Sequence, residues 1–455
     1  MTTSATKHKD SGKVLHKADT YDLGPASLTV AAGCTVDGVT AEAALDNLRR
    51  AFPHVLSEFP ELRLRFKTID GTTHWAFCND DELAFPDLVA QVEAPDTAPT
   101  TALPLESRPL WRLRVSSPLP PPPTTTSTTN STNSTANVST HLRLFTSHSF
   151  CDGRTVFDLL SLFVHFATRP DATAANAPEP FRSQWARRSA LGTLESGALD
   201  SLPYGKRGWF AEDATAGMCG TPASWRRVVV CQLTPAVDVP SHSVASQWDF
   251  EYPPVAAFCR EHGATVQGIV GAAHAHAMWA FSGAQVKEIS VCTPTDTRRY
   301  PFSTEAHRSG AFFGRTGFVL VFLPRQKTLL GEIVECTREL HAVLKTTEAA
   351  HCVLTQSGAV GEGDMAPFPD CGRHNVVCAS HIGRVCTGMN VHGLTFSINN
   401  PVAAEGEYWP SLYAFHTDKV LSFSLMHPWN VPQGFVDAVH TAIKEAMDLA
   451  GAHAL

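Results

Sequence analysis

Six consecutive residues, His148-Ser149-Phe150-Cys151-Asp152-Gly153, set an imidazole, a thiol, a carboxylate and a glycine side by side. The spacing places them where an alternating strand ends and an apolar helix begins. Such a turn projects one side chain into a cleft, and a glycine lets a ligand or another backbone come close. An imidazole titrates near neutral pH, so His148 could take a proton from a hydroxyl and later pass it on. A histidine at a strand end is also often a satisfied structural group, and spacing alone leaves both readings open. Asp152 could orient the ring, yet it follows His148 by only four residues across a turn. Cys151, inside the motif, is an alternative nucleophile or a small packing residue. The P-loop, the G-x-S-x-G elbow and H-E-x-x-H are absent.

The elements around this motif alternate between two periods. Ser27–Val36 reads as a strand, followed by an Asp37-Gly38 turn and a helix from Thr40 to about Leu56. Leu62–Phe66 and Thr73–Cys78, joined by Asp70-Gly71, read as a hairpin with one buried face. Leu110–Val115 and Leu142–Phe145 form a second strand pair, and Arg154–Thr168 a helix. Pro118–Thr140 is a Pro/Thr/Ser/Asn run without core-forming residues, expected to be a disordered insertion.

The second half opens with a predicted strand, Trp225–Leu233. Helices follow at Val255–His262 and Val266–Phe281, strands at Glu288–Thr293 and Gly317–Leu323, and a helix at Leu329–Thr346. Strands at Val376–Ala379, Leu394–Ile398 and Val420–Leu425 precede a closing helix from Pro432 to Ala450. The fold class is α/β in layers of mixed sheet and helix. The expected organisation is a tail over 1–20, a sub-domain over 21–190, a crossover over 191–224 and a second sub-domain over 225–455.

At 455 residues the chain exceeds one ordinary core, and 43% hydrophobic against 18% charged residues is a globular balance. The net charge of −8 argues against a nucleic-acid partner. The longest apolar stretch, around Phe318–Leu323, is too short for a transmembrane segment, and the first ten residues lack the apolar core of a signal peptide. Twelve irregularly spaced cysteines then read as reduced thiols in a cytoplasmic protein.

Over most of its length, and in order, the sequence resembles the acyl-CoA-dependent acyltransferase superfamily, which includes chloramphenicol acetyltransferase, alcohol acetyltransferases and condensation domains. "AFPHVLSEFPELRLRF" (Ala51–Phe66) is similar to its first helix and strand, and "PLESRPLWRLRV" (Pro104–Val115) to the strand before the active-site motif. "TSHSFCDGRTVFDLL" (Thr146–Leu160) resembles its H-H-x-x-x-D-G segment, with Ser147 in place of the first His. "CTPTDTRRY" (Cys292–Tyr300) resembles its D-x-R strand end, and "GAFFGRTG" (Gly310–Gly317) its F-G-N segment, with Arg315 for Asn. "ASHIGRV" (Ala379–Val385) resembles the S-N-x-G segment of alcohol acetyltransferases, with His381 for Asn. The D-F-G-W-G signature of plant members is missing, which favours the alcohol acetyltransferase and condensation side.

The resemblance implies two chloramphenicol-acetyltransferase-like sub-domains with an active-site tunnel between them, and His148 as the general base. It implies that Asp152 pairs with Arg298 to hold the active-site loop, with Gly153 as the loop glycine. Ser380 and His381 are candidates for the oxyanion or the acceptor, although Ser380 could be an ordinary strand serine. Arg299, Arg308 and Arg315 could meet CoA phosphates or simply be solvated. The expected reaction moves an acyl group, acetyl first, from acyl-CoA as co-substrate to a small-molecule alcohol, without a bound cofactor. An N-acyltransferase acting on an amine, a carrier-dependent condensation enzyme and an inactive scaffold of the same fold are the alternatives. A monomer is expected, because two halves complete the site. Cys371, His374, Cys378 and His381 have a zinc-like pattern, but the pairs lie too close for a usual knuckle, and no metal is expected.

Overall fold

Apolar patterning with two distinct periods builds two separate units in the computed structural model. It describes residues 11–17, 29–93, 103, 108–117, 138–173, 243–282, 288–296, 316–345, 376–399, 410–428 and 431–455. Among the described residues, one unit gathers those within 11–17 and 29–173 with the distant segment Cys386–Phe396; the other gathers those within 243–385 and 397–455. Cys386–Phe396 falls within the second sub-domain expected from sequence, and the fold assigns it to the first unit.

In the first unit the elements run β1 (Val14–Lys17), β2 (Thr29–Asp37), α1 (Ala41–Glu58), β3 (Leu64–Ile69), β4 (Thr72–Phe77), α2 (Phe85–Leu88), β5 (Val89–Gln91), β6 (Trp111–Ser116), β7 (Ser139–Ser147) and α3 (Gly153–Thr168). β12 (Val391–Asn399) joins them to complete a five-stranded sheet in the order β12-β2-β7-β6-β5. β2 and β6 pair antiparallel with β7, and β5 runs parallel to β6. Thr40 caps α1 as its side chain suggests, accepting from the Ala43 amide at 3.1 Å. Asn47 of α1 donates to Ala167 O of α3 at 2.8 Å, fixing the two helices against each other.

The smaller sheet, β1-β4-β3, turns at Asp70-Gly71, both left-handed, as a two-residue hairpin with right-handed strand twist demands. The expectation of one buried face is corrected here. Leu64 and Phe66 are buried, and so are Arg63 and Arg65. Arg63 lies over the Phe77 ring at 4.9 Å, and Arg65 meets Glu82 at 3.1 Å, so an aromatic face and a carboxylate cover the second face. The insertion is also shorter than expected. Ser139 and Thr140 belong to β7, and Thr140 is buried with its hydroxyl donating to Val39 O at 2.6 Å. Residues 118–137 lie outside the described ones.

The second unit contains β8 (Ser243–Glu251), α4 (Tyr252–His262), α5 (Val266–Ser282), β9 (Glu288–Asp296), β10 (Thr316–Pro324), α6 (Leu329–Lys345), β11 (Val376–Arg384), β13 (Ser411–His416), β14 (Val420–Pro428) and α7 (Gln433–Ala450). Its mixed sheet runs β10-β9-β11-β13-β14-β8, with β9, β11 and β13 parallel and the other pairs antiparallel. α5 is apolar nearly all round and is buried against β11, α6 and α7. A Cβ on Gly268 would lie 1.9 Å from the Thr337 hydroxyl, so α5 and α6 approach through a missing side chain. The expected strand Trp225–Leu233 lies outside the described residues.

Candidate functional site

β7 carries the candidate base to its place. β2 and β6 bond it along both edges, and the Ser147 amide donates to Leu110 O at 2.9 Å. Ser147 O then accepts from the amides of Phe150 and Cys151, both at 3.0 Å, which folds residues 148–150 into a turn. Phe150 and Cys151 are buried and anchor that turn in the core. His148 is therefore the first residue after a strand held on both sides.

Asp152 closes the turn by capping α3. Its Oδ1 accepts from the Thr155 amide and the Thr155 hydroxyl, each at 2.8 Å. That role was not read from the sequence. Gly153 is the first residue of α3, inside the helix rather than in the loop. Arg298 lies outside the described residues, as do Arg299, Arg308 and Arg315.

The imidazole of His148 is half-buried, and its Nδ1 is enclosed with no hydrogen-bond partner among the described residues. Burial lowers its pKa below the ordinary imidazole value. Contacts with its own backbone, the charge of Asp152 and the Cys151 backbone pull upward and are outweighed. The ring is thus neutral at neutral pH, the form a base requires.

Strand alternation sorts the residues of the second unit. Val377, Ala379, Leu412, Ala414, Phe423 and Leu425 face the helices. Cys292, Cys378, Ser380, Ser411, Tyr413 and Ser424 share the opposite, polar face, in register across β9, β11, β13 and β14. Ser380 is buried there opposite Tyr413. Tyr413 has its pKa raised by burial first and by Cys378 second, so its phenol stays protonated.

His381 goes the other way. Its ring stacks on His416 at 5.3 Å, and His416 stacks on Tyr252 at 3.9 Å. Its amide donates to Gln267 Oε1 at 2.5 Å, while Gln267 Nε2 donates to Ala379 O at 2.9 Å. His381 lines a pocket of about 480 Å³ with Tyr252, Arg260, Val266, Gln267 and Leu340. Ser380 and His381, grouped by sequence, therefore serve different faces. The same alternation bars Cys378 and His381 from one metal ion, and the described residues contain no metal-binding group of three or more. Cys371 and His374 lie outside the described residues. Tyr413 and Ser411 were missed because β13 was not recognised; the register of Cys292 with Cys378 also needs the assembled sheet.

No family model and no curated protein matches this sequence. Solved structures do share its fold over nearly the whole chain. Polyketide synthase associated protein 5 from Mycobacterium tuberculosis matches with a TM-score of 0.59 at 13% identity, covering 97% of this chain and 99% of that one. The epimerization domain from the third module of tyrocidine synthetase B matches with a TM-score of 0.58 at 12% identity, covering 98% and 99%. The starter condensation domain of rhizomide synthetase, solved with C8-CoA and Leu-SNAC, matches with a TM-score of 0.54 at 11% identity, covering 98% and 97%. The fold is the one these condensation and epimerization domains share, a layered mixed α/β arrangement as expected from the sequence.

Proposed function

We propose that this protein is an acyltransferase that moves an acyl group, acetyl as the first candidate, from acyl-CoA to a hydroxyl of a small-molecule acceptor. The observation that carries the reading is the state of His148: a neutral imidazole fixed at a rigid strand end, with Nδ1 enclosed. An alcohol is a poor nucleophile at neutral pH and a thioester a fair electrophile. His148 removes the acceptor's proton as the oxygen attacks the thioester carbon, and the imidazolium then protonates the departing thiolate. The acyl group passes directly, with no covalent enzyme intermediate. A hydroxyl near the tetrahedral oxygen would supply further stabilisation, and Ser380 is the candidate. Arg298 is assigned to hold Asp152, and Arg299, Arg308 and Arg315 to meet the CoA phosphates. Acyl-CoA as donor is supported by a condensation-fold relative solved with C8-CoA.

A second reading, transfer from a carrier-bound acyl group, is favoured by the synthetase domains that share this fold. Thiol release from acetyl-CoA and longer acyl-CoAs, with pooled alcohols and amines and product mass spectrometry, separates the two. Ester products that vanish in His148→Ala support the proposal. Products formed from a carrier-bound thioester but from no free acyl-CoA overturn it.

A further inference from the structure

We propose that Cys292 and Cys378 form a reversible, peroxide-driven disulfide across β9 and β11, on the polar sheet face that carries Ser380. The inference stands on the strand pairing and does not depend on the acyl-transfer reading. Cys292 and Cys378 are register partners in a parallel ladder, so both side chains leave the same face at the same level. Their thiols are hydrogen-bonded to each other, and both are reduced. Neighbouring strands lie about 4.7–4.9 Å apart, inside the Cα window of roughly 4.4–6.8 Å that a disulfide spans. Cβ atoms of parallel neighbours stay close to that spacing, wider than the ~3.8 Å a relaxed disulfide favours. That spacing also exceeds the range of roughly 3.5–4.5 Å for disulfide Cβ atoms, so closing the bond draws β9 and β11 together at this rung, and strained disulfides are the ones easily reduced. The pair is built to cycle rather than to staple.

The two sulfurs have unequal roles. Burial pushes Cys34, Cys78, Cys259, Cys336 and Cys386 upward in pKa. Cys378 shifts downward, because the hydrogen bond with Cys292 outweighs burial and one with Ser411 adds to it. Cys378 is the attacking sulfur because it keeps 4% exposure where Cys292 has none, so an entering oxidant meets it first. Both residues are almost fully enclosed, at 0% and 4% exposure, which restricts the oxidant to a molecule as small as hydrogen peroxide. The Cys378 sulfur attacks one peroxide oxygen, the O–O bond breaks, and water leaves once the departing oxygen is protonated. This gives a sulfenic acid on Cys378. The Cys292 sulfur then attacks that sulfenic sulfur, the S–O bond breaks, and a second water leaves with the Cys292 proton. Two thiols and one peroxide become one disulfide and two waters. Oxidation also removes a hydrogen-bonded thiol two residues from Ser380 on the same face.

The full chain, treated with hydrogen peroxide, alkylated in denaturant and mapped by peptide mass, tests this. The expected result is a linked Cys292–Cys378 peptide, two fewer titratable thiols and full reversal by dithiothreitol, with Cys336 still reduced. In Cys292→Ser, Cys378 should accumulate as a sulfenic acid that dimedone traps. Oxidation of Cys336 as fast as Cys378, or a wild-type Cys378 that goes to sulfinic acid without the linked peptide, overturns the proposal. The mapping on wild-type protein holds even where a variant folds poorly.

Discussion

Ser380 and His381, adjacent on β11, project to opposite faces of one sheet: Ser380 sits opposite Tyr413 among buried polar groups, while His381 stacks on His416 beneath the helices. One strand position thus separates a hydroxyl on the candidate catalytic face from an imidazole on a packing face. Ser380→Ala is expected to lower acyl transfer by about 10²–10³-fold, the range for losing one oxyanion donor. His381→Ala should stay within a few-fold in turnover and show its effect in stability, through the lost stack with His416. Steady-state kinetics beside urea melts read both. Equal kinetic losses in the two variants would refute the division of faces.

His148→Ala should lower the transfer rate by about 10²–10⁴-fold with little change in acyl-CoA binding. The pH profile is the sharper check. Burial disfavours the protonated ring, so it stays a base below the ordinary imidazole range. The acid limb of kcat/KM should therefore fall with a midpoint under the usual value of about 6.5. A midpoint above it would mean that Asp152, not burial, sets the proton affinity.

Much of this arrangement was legible in the sequence, and the failures have physical causes. α1 and α3 declared themselves through apolar stripes, α1 also through its Thr40 cap, and α5 through an almost unbroken apolar run of helical length. β13, Ser-Leu-Tyr-Ala-Phe-His, is six residues long and mostly buried on both faces, so it shows no alternation to read. Arg63 and Arg65 looked like an exposed face because charge normally means solvent; Phe77 and Glu82, distant in pattern, cover them. The transfer of Cys386–Phe396 to the first unit rests on long-range packing, such as Phe396 stacking on Phe157 at 5.8 Å, which no local window contains. The opposed directions of Ser380 and His381 follow from period-2 alternation once β11 is known to run past Ala379 to Arg384.

His274 and His276, two apart on α5, should give opposite pH dependences of stability. His274 is buried, donates to Cys378 O from Nδ1 at 3.1 Å, and has its pKa lowered by desolvation to about 4. Between about 6.5 and 4 the unfolded chain takes a proton that the folded chain refuses, so stability falls as pH falls, by on the order of 3 kcal/mol. His276 is raised, chiefly by its hydrogen bond to the buried Glu332 at 2.7 Å. Its contribution is complete below the unfolded value and is lost as pH rises through the folded one. Urea titrations across about pH 4.5–9 should show His276→Gln falling furthest below wild type at the acid end. His274→Met should lose less stability on acidification than wild type. Parallel pH curves for wild type and both variants would contradict the assignment.

Asp152 holds α3 by its cap, and the proposed pair with Arg298 would add a second function. Asparagine caps nearly as well as aspartate, whereas alanine loses about 1 kcal/mol. Asp152→Asn should thus retain more stability than Asp152→Ala. If the pair exists, Asp152→Asn and Arg298→Ala should also share a coupling above about 1 kcal/mol in a double-mutant cycle. Additive effects would leave the cap as the role of Asp152 and remove Arg298 from the loop.

Kinetic order decides between a base and a nucleophile in the His148 turn. If His148 activates the acceptor, sulfur hands the acyl group straight to oxygen and both substrates must be bound together. Initial-rate plots then intersect. A nucleophile would hold the acyl group first, giving parallel plots and a burst of CoA. Cys151 is the thiol that makes the test necessary, three residues from His148. It is fully buried, and its amide is bonded to Ser147 O, so it fits a packing residue at the entry to α3. Cys151→Ala should keep turnover within a few-fold and intersecting plots, with any loss read as stability, because a buried thiol is being replaced by a smaller methyl group. An acyl adduct on Cys151 after mixing with acyl-CoA alone would show that the thiol reaches the thioester, and direct transfer would then be wrong.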